Sequence, residues 1–233
     1  MSDMAPPGMT RRELRRRAEM LRATKTDAGG EFAPEEREQV RILMVCTGNV
    51  CRSPLAEITL RARIQDAPVR VHSAGTRALI GKPMTADAQE LAVEHGGAAP
   101  DADAHRARWL LEPIAEDADL ILAMSREHRT SAVELAPRLL RRTFTIREFA
   151  RLAGAITDEE ITRAADAAGT RPRARLAAVT ALVTQQRGLA PPAPLEDDDV
   201  IDPYRRSREA YERSAGQLIP AVDEVARVLR AAL

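Results

Sequence analysis

The chain of 233 residues contains little cysteine, lysine or aromatic side chain. Its two cysteines, Cys46 and Cys51, are too few and too close together to form the disulfide scaffold of a secreted fold. Aromatic residues make up 3% of the sequence, and lysine occurs only at positions 25 and 82. The cysteine content suits a reducing compartment in which a thiol is kept for its chemistry, so we predict a cytoplasmic protein.

Long apolar runs and net charge are also missing. No run approaches the ~20 apolar residues of a membrane-spanning helix, and the first residues lack the apolar stretch of a secretory signal. Basic and acidic residues number 35 each, so composition gives no reason to expect a membrane or a nucleic acid as partner. The hydrophobic share of 44% is enough for one globular domain with a sizeable core.

Residues 1–38 precede the first strand pattern and carry an excess of positive charge. The first 25 residues contain seven arginine or lysine residues against three acidic ones. Helix-forming residues dominate positions 10–22. We predict a basic N-terminal extension that is partly helical or disordered. A solvated tail is the simpler interpretation, and an arm that docks an acidic partner or a nucleic acid is the alternative.

From residue 40 onward, strand patterns and helix patterns alternate, which predicts a parallel sheet with helices on both faces. The predicted strands span 40–45, 69–73, 118–124 and 142–146, and the predicted helices span 54–64, 85–97 and 207–233. Pro54 would open the first helix, while Thr85 would cap the second and Gly96 would end it. The expected fold of residues 39–233 is an α/β three-layer sandwich with a central four-stranded parallel sheet flanked by helices.

The alternation breaks between residues 147 and 198. Two helix patterns, at 158–169 and 173–188, are followed by a loop rich in proline and acidic residues. Because so long a stretch is unusual as a plain connection within a compact domain, we predict a helical insertion at about residues 150–198.

Both cysteines lie in one loop, "CTGNVCRS", between the first strand and the first helix. Backbone N–H groups that a starting helix leaves unpaired can form a cradle for an anion, and the arginine of the C-x5-R pattern can offer paired donors to a phosphoryl group. The same cradle would keep the Cys46 sulfur ionised, as a nucleophile beneath the phosphorus. The predicted phosphate-binding residues are Thr47, Gly48, Asn49, Val50, Cys51, Arg52 and Ser53. A buried structural cysteine beside a salt-bridging arginine is the alternative.

The stretch "VCTGNVCRSP" at 45–54 resembles the signature loop of the low-molecular-weight protein tyrosine phosphatases. Shorter matches follow in the family's order: "HSAGT" at 72–76, "HRAR" at 105–108, "DLILAM" at 119–124 and "DPY" at 202–204. The resemblance covers about residues 40–146 and 199–233. It leaves out the N-terminal extension and the segment 147–198.

This resemblance implies hydrolysis of phosphate monoesters, chiefly protein phosphotyrosine, through a cysteinyl-phosphate intermediate. It assigns Cys46 as the nucleophile, Arg52 as the phosphate ligand and Asp202 as the general acid and base. It assigns the loop-supporting hydrogen bonds to Asn49, Ser53, Ser73 and His105, and a wall of the substrate cleft to Tyr204. No cofactor and no metal are expected, since the four histidines lack the spacing of metal ligands.

Two residues of the predicted site have open roles. Asp202 must stay protonated to act as an acid. Like-charge repulsion from the acidic run at 196–199 could help, although that run could equally be a solvated loop. Cys51 could form a disulfide with Cys46 under oxidants, or it could be a small buried filler.

The substrate is the least constrained part of the prediction. Val50 stands where arginine phosphatases of the family tend to have threonine, so it favours phosphotyrosine. Arg205 and Arg206 follow the Asp-Pro-Tyr motif where family members often have glycine, and paired arginines there could select acidic peptides. The expected partner is a phosphotyrosine-containing protein, for which a bacterial tyrosine kinase is one candidate, and the oligomeric state stays open.

Two other functions are compatible with the sequence. An arsenate reductase that uses an external thiol would share the fold and the anion cradle, although this function explains the Asp-Pro-Tyr motif at 202–204 less well. A non-catalytic phosphoprotein-binding module would use the N-terminal extension and the helical insertion as its working parts. Intact Cys46, Arg52 and Asp202 favour the enzyme over this module.

Overall fold

The computed structural model describes residues 39–189 and 194–233. The N-terminal extension predicted at 1–38 lies outside the described residues, as does the short stretch 190–193. Four strands form one sheet: β1 Val40–Cys46, β2 Val69–Gly75, β3 Leu120–Ala123 and β4 Thr143–Thr145. Their order is β2–β1–β3–β4, and every neighbouring pair is parallel. The predicted four-stranded parallel sheet is therefore confirmed.

Helices in the described residues cover both faces of this sheet. They are α1 Arg52–Arg63, α2 Ala86–Glu94, α3 Ala99–Ala104, α4 Glu112–Asp117, α5 Arg126–Leu135, α6 Ile146–Ala153, α7 Asp158–Ala167, α8 Pro172–Gln185 and α9 Arg208–Ala232. Short 3-10 turns span Pro137–Arg142, Gln186–Gly188 and Leu195–Asp198. The result is the predicted three-layer α/β architecture.

Strand β1 runs through the middle of the sheet, and its side chains supply two separate cores. Ile42, Met44 and Cys46 belong to the larger core, which they share with residues of α1, α6, α8 and α9. Leu43 and Val45 belong to the smaller core, together with residues of α4 and α5. A strand that is covered on both faces needs a continuous apolar run, and this is why β1 is apolar without alternation from Ile42 to its end.

The structure corrects three details of the predicted helices. Helix α1 begins at Arg52, so Pro54 lies within its first turn and does not open it. Thr85 directly precedes α2, but its side chain makes no capping hydrogen bond. Helices α3, α4, α5 and α6 were missed. For α6 a signal was available, because Thr145 and Glu148 form a capping box that matches the pattern T-x-x-E.

The segment predicted as a helical insertion contains α6, α7 and α8, and their apolar faces join the larger core. Buried side chains of α7 and α8 in this core include Ile161, Ala165, Leu176, Val179 and Val183. From α6, Arg151 forms an ion pair with Asp198 in the loop before α9. These helices therefore pack as a continuous part of the domain and help to fix that loop.

Candidate active site

The loop with both cysteines joins the carboxyl end of β1 to the first turn of α1. The segment after β2 holds it through the backbone: the N–H of Arg77 donates to the Thr47 carbonyl at 2.9 Å, and the N–H of Leu79 donates to the Gly48 carbonyl at 3.0 Å. Gly75, the last residue of β2, makes this approach possible, because an added Cβ would lie 2.5 Å from the Thr47 carbonyl oxygen. Any side chain at position 75 would displace the loop.

The Cys46 side chain is buried within the loop, and two hydrogen-bond donors face its sulfur. The Asn49 backbone N–H donates to the sulfur at 3.3 Å, and the Ser53 Oγ lies 2.9 Å from it. Because the Asn49 Nδ2 already donates to the Ser53 Oγ at 3.0 Å, the Ser53 hydroxyl proton is free to point at the sulfur. Donors placed in this way stabilise a thiolate.

Asn49 is the centre of the network that holds the loop in shape. Its backbone has a φ of 55°, in the left-handed region that asparagine tolerates better than most residues. The Asn49 Nδ2 also donates to the Ser73 Oγ at 2.8 Å, and the Oδ1 accepts from the Arg108 N–H at 2.9 Å. The His105 Nε2 donates to the Asn49 carbonyl at 2.8 Å, and burial lowers the pKa of His105, which keeps the ring neutral. The structure thus brings Asn49, Ser53, Ser73 and His105 together.

Glu57 extends this network away from the loop, and sequence reasoning missed it. The Ser73 Oγ donates to the Glu57 Oε2 at 2.5 Å, and Glu57 also forms an ion pair with Arg61. Glu57 is buried and lies one helical turn after Ser53 on α1. That i,i+4 spacing was the available signal, since it places both side chains on one face of the helix.

The Arg52 guanidinium is buried, and its donors are only partly used. Its Nη1 donates to the Val200 carbonyl at 3.0 Å, and its Nη2 lies 3.0 Å from the Asp202 Oδ2. The Arg52 Nε is buried and has no hydrogen-bond partner within residues 39–189 and 194–233. A buried donor without an acceptor is costly, and an anion bound in the loop would supply the acceptor.

The salt bridge to Arg52 brings Asp202 to the loop from the segment before α9. The acidic run at 196–199 could either repel Asp202 or form a solvated loop. Two of its members are paired, because Asp199 lies 3.3 Å from the Arg126 guanidinium and Asp198 lies 3.2 Å from that of Arg151. The Asp199 carboxylate also accepts from the Arg126 backbone N–H at 2.8 Å, at the start of α5. The acidic run therefore anchors the loop that carries Asp202 to α5 and α6.

His128, on α5, holds the Thr47 side chain and was also missed. Its Nε2 lies 2.7 Å from the Thr47 Oγ1, and its Nδ1 lies 2.8 Å from the Ser125 Oγ. Burial, with a smaller effect from the Arg52 charge, lowers the pKa of His128 to about 4, so the ring is neutral at pH 7. No local pattern marks this residue, because its role depends on the packing of α5 beside the loop.

Cys51 lies in a different environment from Cys46. Its sulfur is 3.4 Å from the Thr85 Oγ1 and 3.6 Å from the Tyr211 hydroxyl oxygen. Burial raises the pKa of the Cys51 thiol to about 11, and the hydrogen bonds from Thr85 and Tyr211 offset only part of that effect. Cys51 is therefore a protonated, buried thiol at neutral pH, and both cysteines are free. Its role as a redox partner of Cys46 stays a prediction.

The loop and its neighbours line a pocket of about 130 Å³. Its lining residues are Cys46, Thr47, Gly48, Val50, Cys51, Arg52, Arg77, Leu79, Asp202 and Tyr204. A neighbouring pocket of about 310 Å³ shares Thr47, Arg52 and Asp202 with it. Within the described part of the chain, no group of three or more His, Cys, Asp or Glu side chains is placed to hold a metal ion. The first pocket therefore combines a buried sulfur, a buried guanidinium and a carboxyl group.

Comparison with known proteins identifies this arrangement. The family described as low molecular weight phosphotyrosine protein phosphatase matches residues 41–161. The low molecular weight protein-tyrosine-phosphatase Etp of Escherichia coli K12 is 30% identical over 188 residues, which cover 81% of this chain and 93% of Etp. A protein-arginine-phosphatase of Geobacillus stearothermophilus is 38% identical over 109 residues, covering 47% of this chain and 70% of that protein.

Solved structures give the same result. The tyrosine phosphatase AmsI of Erwinia amylovora superposes with a TM-score of 0.54 at 26% identity, covering 80% of this chain and 90% of AmsI. The arginine phosphatase YwlE of Geobacillus stearothermophilus superposes with a TM-score of 0.57 at 27% identity, covering 82% and 93% of the two chains. The chain therefore belongs to the low molecular weight phosphotyrosine protein phosphatase family and is a phosphatase.

Proposed function

We propose that the protein hydrolyses phosphotyrosine in protein substrates through a cysteinyl-phosphate intermediate. The observation that carries this proposal is that Cys46, Arg52 and Asp202 line one pocket, and that the buried Arg52 Nε has no acceptor among the described residues. A phosphoryl group in the loop would accept a hydrogen bond from Nε and would take over Nη2 from Asp202. Substrate binding would in this way give every N–H donor of Arg52 an acceptor and free the Asp202 carboxyl group from its salt bridge with Arg52.

The reaction has two steps. In the first, the Cys46 thiolate attacks phosphorus, the bond from phosphorus to the tyrosine oxygen breaks, and Asp202 donates its proton to the leaving oxygen. In the second, a water molecule attacks phosphorus, Asp202 accepts the proton of the water, and the bond from sulfur to phosphorus breaks. The Ser53 hydroxyl, 2.9 Å from the sulfur, stabilises the departing thiolate. Arg52 and the loop N–H groups stabilise the phosphoryl oxygens in both transition states.

The proteins similar to this chain differ in the phosphorylated residue on which they act, since they include tyrosine phosphatases and a protein-arginine-phosphatase. Val50, Leu79 and Tyr204 give the pocket an apolar wall. An aromatic ring gains from such a wall, whereas the guanidinium of a phosphoarginine would leave N–H groups without acceptors against it. This wall supports phosphotyrosine, and phosphoarginine is the second candidate.

The test measures hydrolysis of para-nitrophenyl phosphate, of a phosphotyrosine peptide and of a phosphoarginine peptide, without added metal. We expect the wild-type protein to hydrolyse the first two, Cys46→Ser to abolish turnover, and Asp202→Asn to lower kcat on the phosphotyrosine peptide by about 10²- to 10⁴-fold. Turnover by Cys46→Ser would overturn the mechanism, and faster hydrolysis of the phosphoarginine peptide would replace the substrate. Arsenate reduction with an added thiol, in the absence of ester hydrolysis, would indicate a reductase.

The partner that we propose is a phosphotyrosine-containing protein, and a tyrosine kinase is one candidate. Etp and Wzb of Escherichia coli, both similar to this chain, are named as protein-tyrosine-phosphatases. As for location, no helix in residues 39–189 and 194–233 has both the length and the apolar character needed to cross a membrane. A cytoplasmic location stays a prediction.

A further inference from the structure

The mouth of the catalytic pocket carries positive charge that no carboxylate of the described residues neutralises. Among the residues that line the pocket, Arg52 and Asp202 pair with each other, which leaves Arg77 as the charged side chain without a counter-ion. The Arg77 side chain is exposed, while its backbone N–H is fixed to the Thr47 carbonyl. Arg77 is therefore held at the pocket, and its exposed side chain forms no ion pair with the described residues.

A second arginine reaches the mouth from another segment. The Arg205 guanidinium lies 5.2 Å from the centroid of the Tyr204 ring, and Tyr204 lines the pocket. Arg205 has a φ of 60°, a conformation that favours glycine, so an arginine here is unfavourable for the backbone. Its side chain is exposed, and it has no ion-pair partner in the described part of the chain.

We propose that Arg77 and Arg205, here called the rim arginines, bind acidic side chains next to the phosphotyrosine of the substrate. This inference rests on the proposed function and names the class of peptide that the same site takes. A chain segment whose phosphotyrosine enters the pocket must pass close to Arg77, which lines the pocket, and to Tyr204, over whose ring the Arg205 guanidinium lies. Aspartate or glutamate beside the phosphotyrosine would give them the counter-ions that residues 39–189 and 194–233 do not supply.

The experiment compares kcat/KM for two phosphotyrosine peptides that differ only in their flanking residues, Asp and Glu in one, Asn and Gln in the other. Each rim arginine should contribute about a 2- to 5-fold preference for the acidic peptide, as expected for exposed ion pairs. Arg77→Gln and Arg205→Gln should each lower the ratio of the two kcat/KM values, and the double variant should bring it close to one. High salt should have the same effect, because the screening length falls from about 10 Å at 0.1 M to about 3 Å at 1 M.

Two further variants test whether the peptide preference comes from the rim arginines themselves. Arg171→Gln is the matched control, since Arg171 is exposed and directly precedes α8. The start of α8 is far from the site, because the Arg175 Nε donates to the Ala232 carbonyl at the opposite end of α9. Arg171→Gln should keep the wild-type ratio. Arg205→Gly should raise the urea midpoint of unfolding, because glycine tolerates the positive φ at this position. It should nevertheless lower the ratio of kcat/KM for the acidic and the neutral peptide as much as Arg205→Gln does.

The possible outcomes separate this inference from the function on which it rests. A wild-type ratio of one or below, or a ratio unchanged in the double variant, would overturn the role of the rim arginines while leaving the phosphatase activity intact. Failure of the wild-type protein to hydrolyse either peptide or para-nitrophenyl phosphate would instead contradict the proposed function itself.

Discussion

Replacing Asn49 should both destabilise the protein and disable the loop, because one buried side chain holds three partners. It donates to the hydroxyls of Ser53 and Ser73 and accepts from the Arg108 N–H, at 3.0, 2.8 and 2.9 Å. Each such bond contributes about 0.5–1.5 kcal/mol, and each buried partner left unpaired adds to the loss. We therefore expect Asn49→Gly to lower the free energy of unfolding by about 2–4 kcal/mol.

Asn49→Ala should cost more than Asn49→Gly, because the backbone at this position has a φ of 55°. Alanine in the left-handed region is less favourable than glycine by about 1–2 kcal/mol. With a urea m-value of about 2–3 kcal/mol per molar, the midpoint should fall by about 1 M in the glycine variant and further in the alanine variant. Urea unfolding followed by circular dichroism measures both shifts.

Activity should fall in the same two variants for a geometric reason. Without the Asn49 side chain the loop N–H groups lose their positions around the anion, and kcat/KM for para-nitrophenyl phosphate should fall about 10²-fold. Gly97→Ala provides the matched control, since it should destabilise the protein at a distance from the pocket lining and retain kcat/KM in native buffer. An Asn49→Gly variant with wild-type stability would refute the hydrogen-bond argument. Equal stability of the glycine and alanine variants would refute the backbone argument.

Three further predictions follow from single contacts. In Gly97→Ala the new Cβ would lie 2.7 Å from the Ala92 carbonyl oxygen, so unfolding in urea should show a loss of about 1–3 kcal/mol; an unchanged midpoint would contradict this. His128 is neutral in the fold with a pKa of about 4, so its contribution to stability is complete above about pH 6.5 and is lost as pH falls toward 4. The free energy of unfolding of the wild-type protein should therefore fall by roughly 3 kcal/mol more than that of His128→Gln between pH 6.5 and pH 4. Parallel curves of unfolding free energy against pH for the two proteins would refute this. Burial raises the pKa of Cys51 to about 11, so iodoacetamide at pH 7, followed by mass spectrometry, should label Cys46 and leave Cys51 unmodified.

The loop between β1 and α1 was predictable because the information for it is local. Residues 46–53 are consecutive, the apolar run of β1 precedes them, and α1 follows at once, so the sequence places the loop at the start of a helix, where backbone N–H groups are unpaired. Helix α6 was predictable on the same grounds, since the capping box of Thr145 and Glu148 is a short-range pattern. The predicted strand at 142–146 included Ile146, which is the first residue of this helix.

Thr85 shows how a tertiary contact overrides a local preference. Its position before α2 was predicted correctly, but its hydroxyl lies 3.4 Å from the Cys51 sulfur and does not cap the helix. Thr85 has a single hydroxyl group, and in the fold this group contacts the buried Cys51 sulfur of the loop before α1. The local pattern located the helix start, while the use of the side chain depended on what packed against it.

The sequence by itself determined the four strands and the loop between β1 and α1, in which we propose the nucleophile and its arginine. Tertiary structure decided which distant groups meet them: Asp202 on Arg52, His128 on Thr47, and Asp199 on α5. The reason is the strand order β2–β1–β3–β4, because parallel strands place their carboxyl ends at one edge of the sheet. The segments that follow β1, β2 and β3 therefore converge there, and the segment with Asp199 and Asp202 joins them because the Val200 N–H donates to the Met124 carbonyl, directly after β3, at 2.9 Å. No pattern within any one of these segments specifies its neighbours.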